Sequence, residues 1–326
     1  MPTTGAVAVV LNLTAVAASR PSDLQVFPTG RRPGVRTSNL NLQRGAPVAT
    51  MVTAVLGAGG SVSLSNAAGT VHVVVDVLGW YAGAAATTAG LAFNATTPVR
   101  VLDTRTTRAP VVAGDDRMGQ VAGLGAVPGN AAAVVVNVTA VASTAASDLA
   151  VTPAGSRPAV RTSTLNLVRG PAVANLATVQ LDRGGLRLAT AAGSVHVVLD
   201  VVGWYAAPTG AGGRFHPLVP TRVLDTRPDP RVKAGADRLL RFGPLLPPSA
   251  VAVVGAVTVV GADRAVDLAV YPDGRRPAVR TSNVNAPTGL AVPNSLISGL
   301  GDLGVRLSVS SGSAHVLVDV AGWFGP

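Results

Sequence analysis

The chain has 326 residues, 48% of them apolar but only 3% aromatic, with 37 glycines and 24 prolines, which excludes a disordered polymer and points to many short valine-rich strands separated by turns. No cysteine is present, so disulfides, thiol catalysis and cysteine-held zinc or iron–sulfur sites are excluded. The formal charge is +10, carried almost wholly by arginine because Lys233 is the single lysine; this fits fixed pairing with carboxylates, and equally the arginine, alanine and valine bias of a GC-rich genome.

In chain order, Met1 is followed by "PTTGAVAVVLNLTAV", which lacks the basic start of a signal peptide. The apolar run "VAVVLNLTAV" (7 to 16) reads as a buried strand, "SDLQVFPTGRRPGVRTSNLNL" (22 to 42) as strand, turn and strand, and "TVHVVVDVLGWYAG" (70 to 83) as a long closing strand. All three then recur. "AAVVVNVTAV" (132 to 141) and "VAVVGAVTVV" (251 to 260) repeat the first, and "SDLAVTPAGSRPAVRTSTLNL" (147 to 167) and "VDLAVYPDGRRPAVRTSNVNA" (266 to 286) repeat the second. "SVHVVLDVVGWYAA" (194 to 207) and "SAHVLVDVAGWFGP" (313 to 326) repeat the third, so that Asp76, Asp200 and Asp319 are spaced 124 and 119 residues apart.

A repeat of about 120 residues is of domain rather than solenoid size. The expected divisions are residues 1–86, 91–207 and 214–326, joined by linkers at 82–90 and 207–213. "TPVRVLDTR" (97 to 105) and "VPTRVLDTR" (219 to 227) open the second and third copies, and the first has no counterpart. Either the first copy lacks its opening segment, or units are built from one copy's end and the next one's start; both leave an open sheet edge able to pair with another chain. In the second copy strands are expected at about 99–104, 117–122, 132–142, 148–152, 163–167, 173–181, 185–189 and 194–202. No sustained helical period appears, and the fold class expected is all-β, with tandem β-sandwich or jelly-roll-like domains in three copies. The longest apolar runs, such as 250–262, fall short of the roughly 20 residues that span a bilayer, so no membrane insertion is expected.

The closing strands carry His72, His196 and His315 four residues before their aspartates. Four strand residues span about 13 Å, so histidine and aspartate cannot form a dyad or chelate one metal by themselves. A buried carboxylate needs a cation, and "RVLDTR" offers Arg100, Asp103 and Arg105, with Asp225 and Arg227 in the third copy. Asp76, Asp200, Asp319, Asp103, Arg105, Asp225 and Arg227 are therefore expected in structural ion pairs, with the histidines neutral and hydrogen-bonded beside them. No nucleophile elbow, calcium loop or metal-spaced histidine pair is found, so no catalytic residue, metal or cofactor is expected. The N-x-T triplets at Asn12, Asn94 and Asn137 are set aside as coincidence, because two lie in apparent core strands.

Two groups remain as ligand candidates. The first is the loop arginines: Arg31, Arg32 and Arg36, then Arg157 and Arg161, then Arg275, Arg276 and Arg280. Set among Ser, Thr and Asn, they suit phosphate or carboxylate groups on an anionic polymer, unless Arg36 and its equivalents are taken up by Asp23, Asp148 and Asp267. The second is the strand-end aromatics, Trp80 with Tyr81, Trp204 with Tyr205, and Trp323 with Phe324, which serve either as stacking platforms for sugars or as plugs closing one end of a sheet pair.

The combination of "RVLDTR", "SDLxVxPxGxRPxVRTSxLN" and "HVVxDVxGWY" resembles a repeat region of secreted, multidomain actinobacterial proteins, where it accompanies peptidases and cell-wall hydrolases. The resemblance covers nearly the whole chain apart from the linkers and implies an extracellular, non-catalytic accessory module. The third copy departs from the pattern at Gly255 and Ala256. The function expected is binding or adhesion to cell-wall or other polysaccharide, with avidity from repetition. The alternative is a surface spacer or head-to-tail assembly through open edges. An enzyme is not favoured, because every candidate carboxylate is replicated. Nucleic acid is discounted despite a pI near 11.4, because aromatic residues do not interleave with the arginines.

Overall fold

In the computed structural model the described residues are 5–83, 86, 90–158, 160–208 and 212–326. The linker positions 84–85, 87–89 and 209–211 lie outside them. Twenty-four strands and two short 3-10 turns make up the regular structure, with no α-helix among the described residues. The first copy contains β1 (Ala6–Val16), β2 (Ser22–Pro28), β3 (Leu40–Leu42), β4 (Val48–Val55), β5 (Val62–Asn66) and β6 (His72–Ala82). The second contains β7 (Ala92–Asp103), β8 (Val111–Val112), β9 (Arg117–Gln120), β10 (Ala133–Val141), β11 (Ser147–Pro153), β12 (Leu165–Leu167), β13 (Val173–Gln180), β14 (Gly185–Thr190) and β15 (Ser194–Ala206). The third contains β16 (Arg214–Asp225), β17 (Val232–Lys233), β18 (Arg238–Leu240), β19 (Ala252–Val260), β20 (Val266–Pro272), β21 (Val284–Ala286), β22 (Val292–Gly299), β23 (Val305–Val309) and β24 (Ser313–Gly325).

These strands form six small sheets, all of whose pairs run antiparallel. The protein is all-β. Three sheets follow one plan: β13-β10-β15-β7 in the second copy, β22-β19-β24-β16 in the third, and only β4-β1-β6 in the first. The other three are β12-β11-β14-β9, β21-β20-β23-β18 and the shorter β3-β2-β5. Each opening segment pairs with the closing strand of its own copy, β7 with β15 and β16 with β24.

Why the long strands read as unbroken valine follows from their two partners. Val134, Val136 and Val138 of β10 point into a core shared with Leu149 and Leu165 of the facing sheet, whereas Ala133 and Val135 point into a different cluster. That second cluster gathers Ala8, Val10 and Met51 of the first copy, Val135 and Leu176 of the second, and Val254 and Ile297 of the third. A strand buried on both faces has no polar side to alternate with.

The expected strand 99–104 begins earlier, at Ala92. Its Pro98 is accommodated because β7 lies at the sheet edge, with β15 as its one strand partner and a single bridge from Phe93 to Gly213 on its other side, so that a missing N–H at Pro98 breaks no ladder. Strand β8 was not anticipated; two residues are too few to show a period.

Candidate functional site

Two of the three closing-strand aspartates, Asp200 and Asp319, meet an arginine, and it is Arg100 or Arg222 rather than the expected Arg105 or Arg227. Leu199 is opposite Leu102 and Asp200 is opposite Arg100, so one residue of β7, Val101, is bulged out. That shift carries Arg100 across to Asp200, with Nε donating at 2.8 Å and Nη2 at 3.1 Å to its two carboxylate oxygens. Arg222 grips Asp319 in the same way, at 2.9 and 3.0 Å. Burial nevertheless holds both carboxyls above the usual carboxylate range, with the facing arginine pulling the other way. Arg105 instead turns back on Asp103, at 2.8 and 2.6 Å, and Arg227 on Asp225. These hydrogen bonds lower Asp103, and take Asp225 down to about 2.

The threonine of "RVLDTR" also has a fixed task. Thr104 and Thr226 are fully buried, their hydroxyls accepting from the amides of Val197 and Val316 and lying 3.1 and 3.4 Å from Nδ1 of His196 and His315. The phenylalanine seven residues before each arginine is equally placed. Phe93 stacks on Phe324 of the third copy at 4.2 Å between centroids, and Phe215 on Tyr81 of the first at 4.5 Å. Both rings occupy the space that a Cβ would need at Gly203 and Gly322.

The first copy lacks all of this, and here the expectations for Asp76 and His72 are corrected. Asp76 is half-buried with no arginine partner among the described residues, and His72 is exposed. The edge of β6 away from β1 is unpaired among the described residues. Val73, Val74, Val75, Val77 and Leu78 are 37%, 50%, 43%, 55% and 38% exposed, whereas their counterparts Val197, Val198, Leu199, Val201 and Val202 are at most 3% exposed.

The strand-end aromatics divide. Tyr205 and Phe324 are buried and Tyr81 is half-buried, and all three join the core between copies, where the Tyr81 and Tyr205 hydroxyls are 2.6 Å apart. Burial pushes the Tyr81 hydroxyl up to about 12 and raises Tyr205 well above its ordinary value. They are not sugar platforms, because the copies close over them. Trp80, Trp204 and Trp323 remain half-buried, the last stacked on His216 at 3.8 Å.

Most loop arginines are engaged. Arg36 bonds Asp23 and Arg161 bonds Asp148, each at 2.8 Å. Arg280 instead donates to the Asp267 and Ser308 carbonyls, since Asn285 takes the Asp267 carboxylate at 2.6 Å. Arg157 pairs with Asp116, which also receives Arg187, and Arg276 lies 3.8 Å from Asp237. The first copy again differs at Arg32, which among the described residues has Ser65 and the Phe27 ring and no carboxylate, while Arg31 and its third-copy counterpart Arg275 are both exposed.

Seam residues were the part sequence reasoning missed. Asn175 accepts from the Met51 amide and Asn294 from the Leu176 amide, and Asn12 donates to the Ser163 carbonyl. Arg100 reaches the Arg280 carbonyl and Arg222 the Arg36 carbonyl, so arginines of copies two and three also tie into copies three and one. An asparagine repeated within the core strands of two copies, Asn12 and Asn137, was the available signal for Asn12.

Two shallow clefts lie on these seams, one lined by Phe27, Asn39, Pro220 and Asp319, the other by Asn12, Leu78, Thr164 and Leu176. Neither brings together a nucleophile, an acid and a base. Among the described residues no three His, Cys, Asp or Glu side chains converge on one point. Among the described residues no helix is long and apolar enough to cross a membrane.

The fold and these contacts define an all-β protein whose repeated charges hold sheets together. No family model and no curated protein matches the chain. Among solved structures, that of the STIV MCP is 9% identical over 73% of this chain and 97% of the other, with a TM-score of 0.17. A structure of Sulfolobus Turreted Icosahedral Virus is 7% identical over 98% of this chain and 80% of the other, with a TM-score of 0.20. Overlaps this low carry no argument about what this chain does.

Proposed function

We propose that the chain is a non-catalytic, extracellular structural module of three tandem β-sandwich units that joins to other polypeptide through the open edge of β6. The observation that supports the reading most is the uncovered run Val73 to Leu78, on a strand whose two counterparts are wholly covered. A long edge strand without proline, apolar apart from His72 and the single carboxylate of Asp76, is a template for pairing with a strand that brings a cation to that carboxylate. The extracellular setting rests on the sequence resemblance alone. Replacing Val75 with Lys puts a charge on the edge strand while leaving the β1 pairing of β6 in place. Sedimentation velocity and pull-down from culture supernatant should then show loss of the associations made by the native chain. Associations unchanged by Val75→Lys would overturn the reading.

A second reading, binding of anionic wall polysaccharide, is favoured by the exposure of Arg31, Arg32 and Arg275. Cosedimentation with purified cell wall, compared with a variant carrying Arg31→Ala, Arg32→Ala and Arg275→Ala, tests it; equal cosedimentation removes it.

A further inference from the structure

We infer that the open edge of β6 is a docking site for a separate polypeptide carrying the opening-segment sequence F-x6-R-V-L-D-T-R, with its arginine on Asp76 and its phenylalanine over Gly79; this rests on the reading of β6 as a docking edge. Four features of the first copy point to the same missing chemistry. Asp76 stands where Asp200 and Asp319 each receive two N–H bonds from an arginine. Gly79 faces open space, whereas an added Cβ at Gly203 or Gly322 would strike the ring of Phe93 or Phe215. Arg32 has no carboxylate among the described residues, whereas Arg157 and Arg276 face Asp116 and Asp237. His72 is exposed where His196 and His315 adjoin a buried threonine hydroxyl.

The relation between copies extends the case. The arginine of copy two bonds a loop carbonyl in copy three, and that of copy three one in copy one. The phenylalanines follow the same direction, from Phe93 to Phe324 and from Phe215 to Tyr81. The absent third member of each series would reach the Arg161 carbonyl and the Tyr205 ring in copy two. Asn12 already bridges that seam to Ser163.

The occupant's chemistry follows from the templates. Opposite Asp76 it presents an arginine, opposite Val75 a leucine and opposite Tyr81 a phenylalanine, with a one-residue bulge after the arginine as in β7. Farther on it supplies the apolar groups that Val111, Val121 and Val127 supply to the second copy, and an aspartate for Arg32. Both segments of this kind within the described residues are engaged by β15 and β24, and a second copy of the chain would have to release one of its own. The filler is therefore a segment other than β7 or β16.

The probe is a synthetic peptide of residues 91–131 of this chain, added to the full-length protein. Hydrogen exchange read at the amides of 72–81 separates docking on β6 from exchange with β7. The native peptide should bind one to one and protect those amides. Arg100→Ala in the peptide should weaken binding about thirtyfold or more, as should Asp76→Ala in the protein, and the two together should lose no more than either alone. Phe93→Ala should weaken it as well. If an Arg100→Ala, Phe93→Ala peptide protects β6 as well as the native one, the edge docks strands but this occupant is wrong. Concentration-dependent protection of β6 by the protein alone likewise overturns it in favour of self-pairing. If no peptide protects β6 and the protein alone does not either, the docking-edge reading itself falls.

Discussion

Removing Arg100 should separate the role of a buried pair from that of an exposed carboxylate within one molecule. The Asp200 side chain is 1% exposed and receives two hydrogen bonds from Arg100, which also holds the Arg280 carbonyl at 2.9 Å. Truncating one member of a buried ion pair costs about 3–5 kcal/mol because the remaining charge is stranded. Asp76→Ala removes the equivalent carboxylate where it is half-exposed and unpaired among the described residues, and should cost no more than about 0.5 kcal/mol. The Arg100→Ala loss should also depend on pH. Burial already holds Asp200 above the usual carboxylate range, and losing Arg100 removes the group that opposes this. An acid whose folded-state pKa lies above its unfolded value loses stability as pH rises through that window. The penalty should therefore be larger at neutral pH than in acid, where Asp200 takes up a proton. Guanidinium unfolding followed by tryptophan fluorescence measures this, since Trp80, Trp204 and Trp323 place one reporter in each copy. Equal losses for Arg100→Ala and Asp76→Ala, or a penalty independent of pH, would refute the reasoning.

Two further outcomes are expected. Gly203→Ala should lower stability by about 1–3 kcal/mol by driving a methyl into Phe93, whereas Gly79→Ala should be neutral in the same thermal melt; equal shifts would remove the argument from packing. Asp225 is held down at about 2 by Arg227, so its contribution is present above the ordinary carboxylate value and fades as pH falls toward 2. Discounted for the half-exposed arginine, it amounts to about 1 kcal/mol. Asp225→Asn should flatten the acid limb of the stability curve by that amount, and an unchanged limb would show the pair to be inert.

Much of the candidate site was legible in the sequence. That buried Asp200 and Asp319 need a cation, and that the cation comes from "RVLDTR", follows from residue chemistry alone. Which arginine does so was not legible, because a bulge at Val101 adds one residue to β7 and reverses the face on which Arg100 falls. The pairing of Arg36 with Asp23 and of Arg161 with Asp148 was among the sequence expectations, whereas the loss of the third pair was not legible, because Asn285 takes the Asp267 carboxylate and leaves Arg280 to backbone carbonyls. The aromatic ends could be read as platforms or as plugs, and nothing local reveals that Tyr81, Tyr205 and Phe324 converge from three copies.

What the sequence by itself determined is the all-β class and the triplication: valine runs, turn residues and repeat spacing are local properties that a strand must satisfy wherever it packs. Only the tertiary structure decided how the copies meet. Their inner sheets share one core, their arginines and asparagines cross the seams, and β6 keeps an edge that β15 and β24 have covered. Contacts of that kind join residues more than a hundred positions apart, and burial, which sets the worth of each charge and ring, exists only once those residues are brought together.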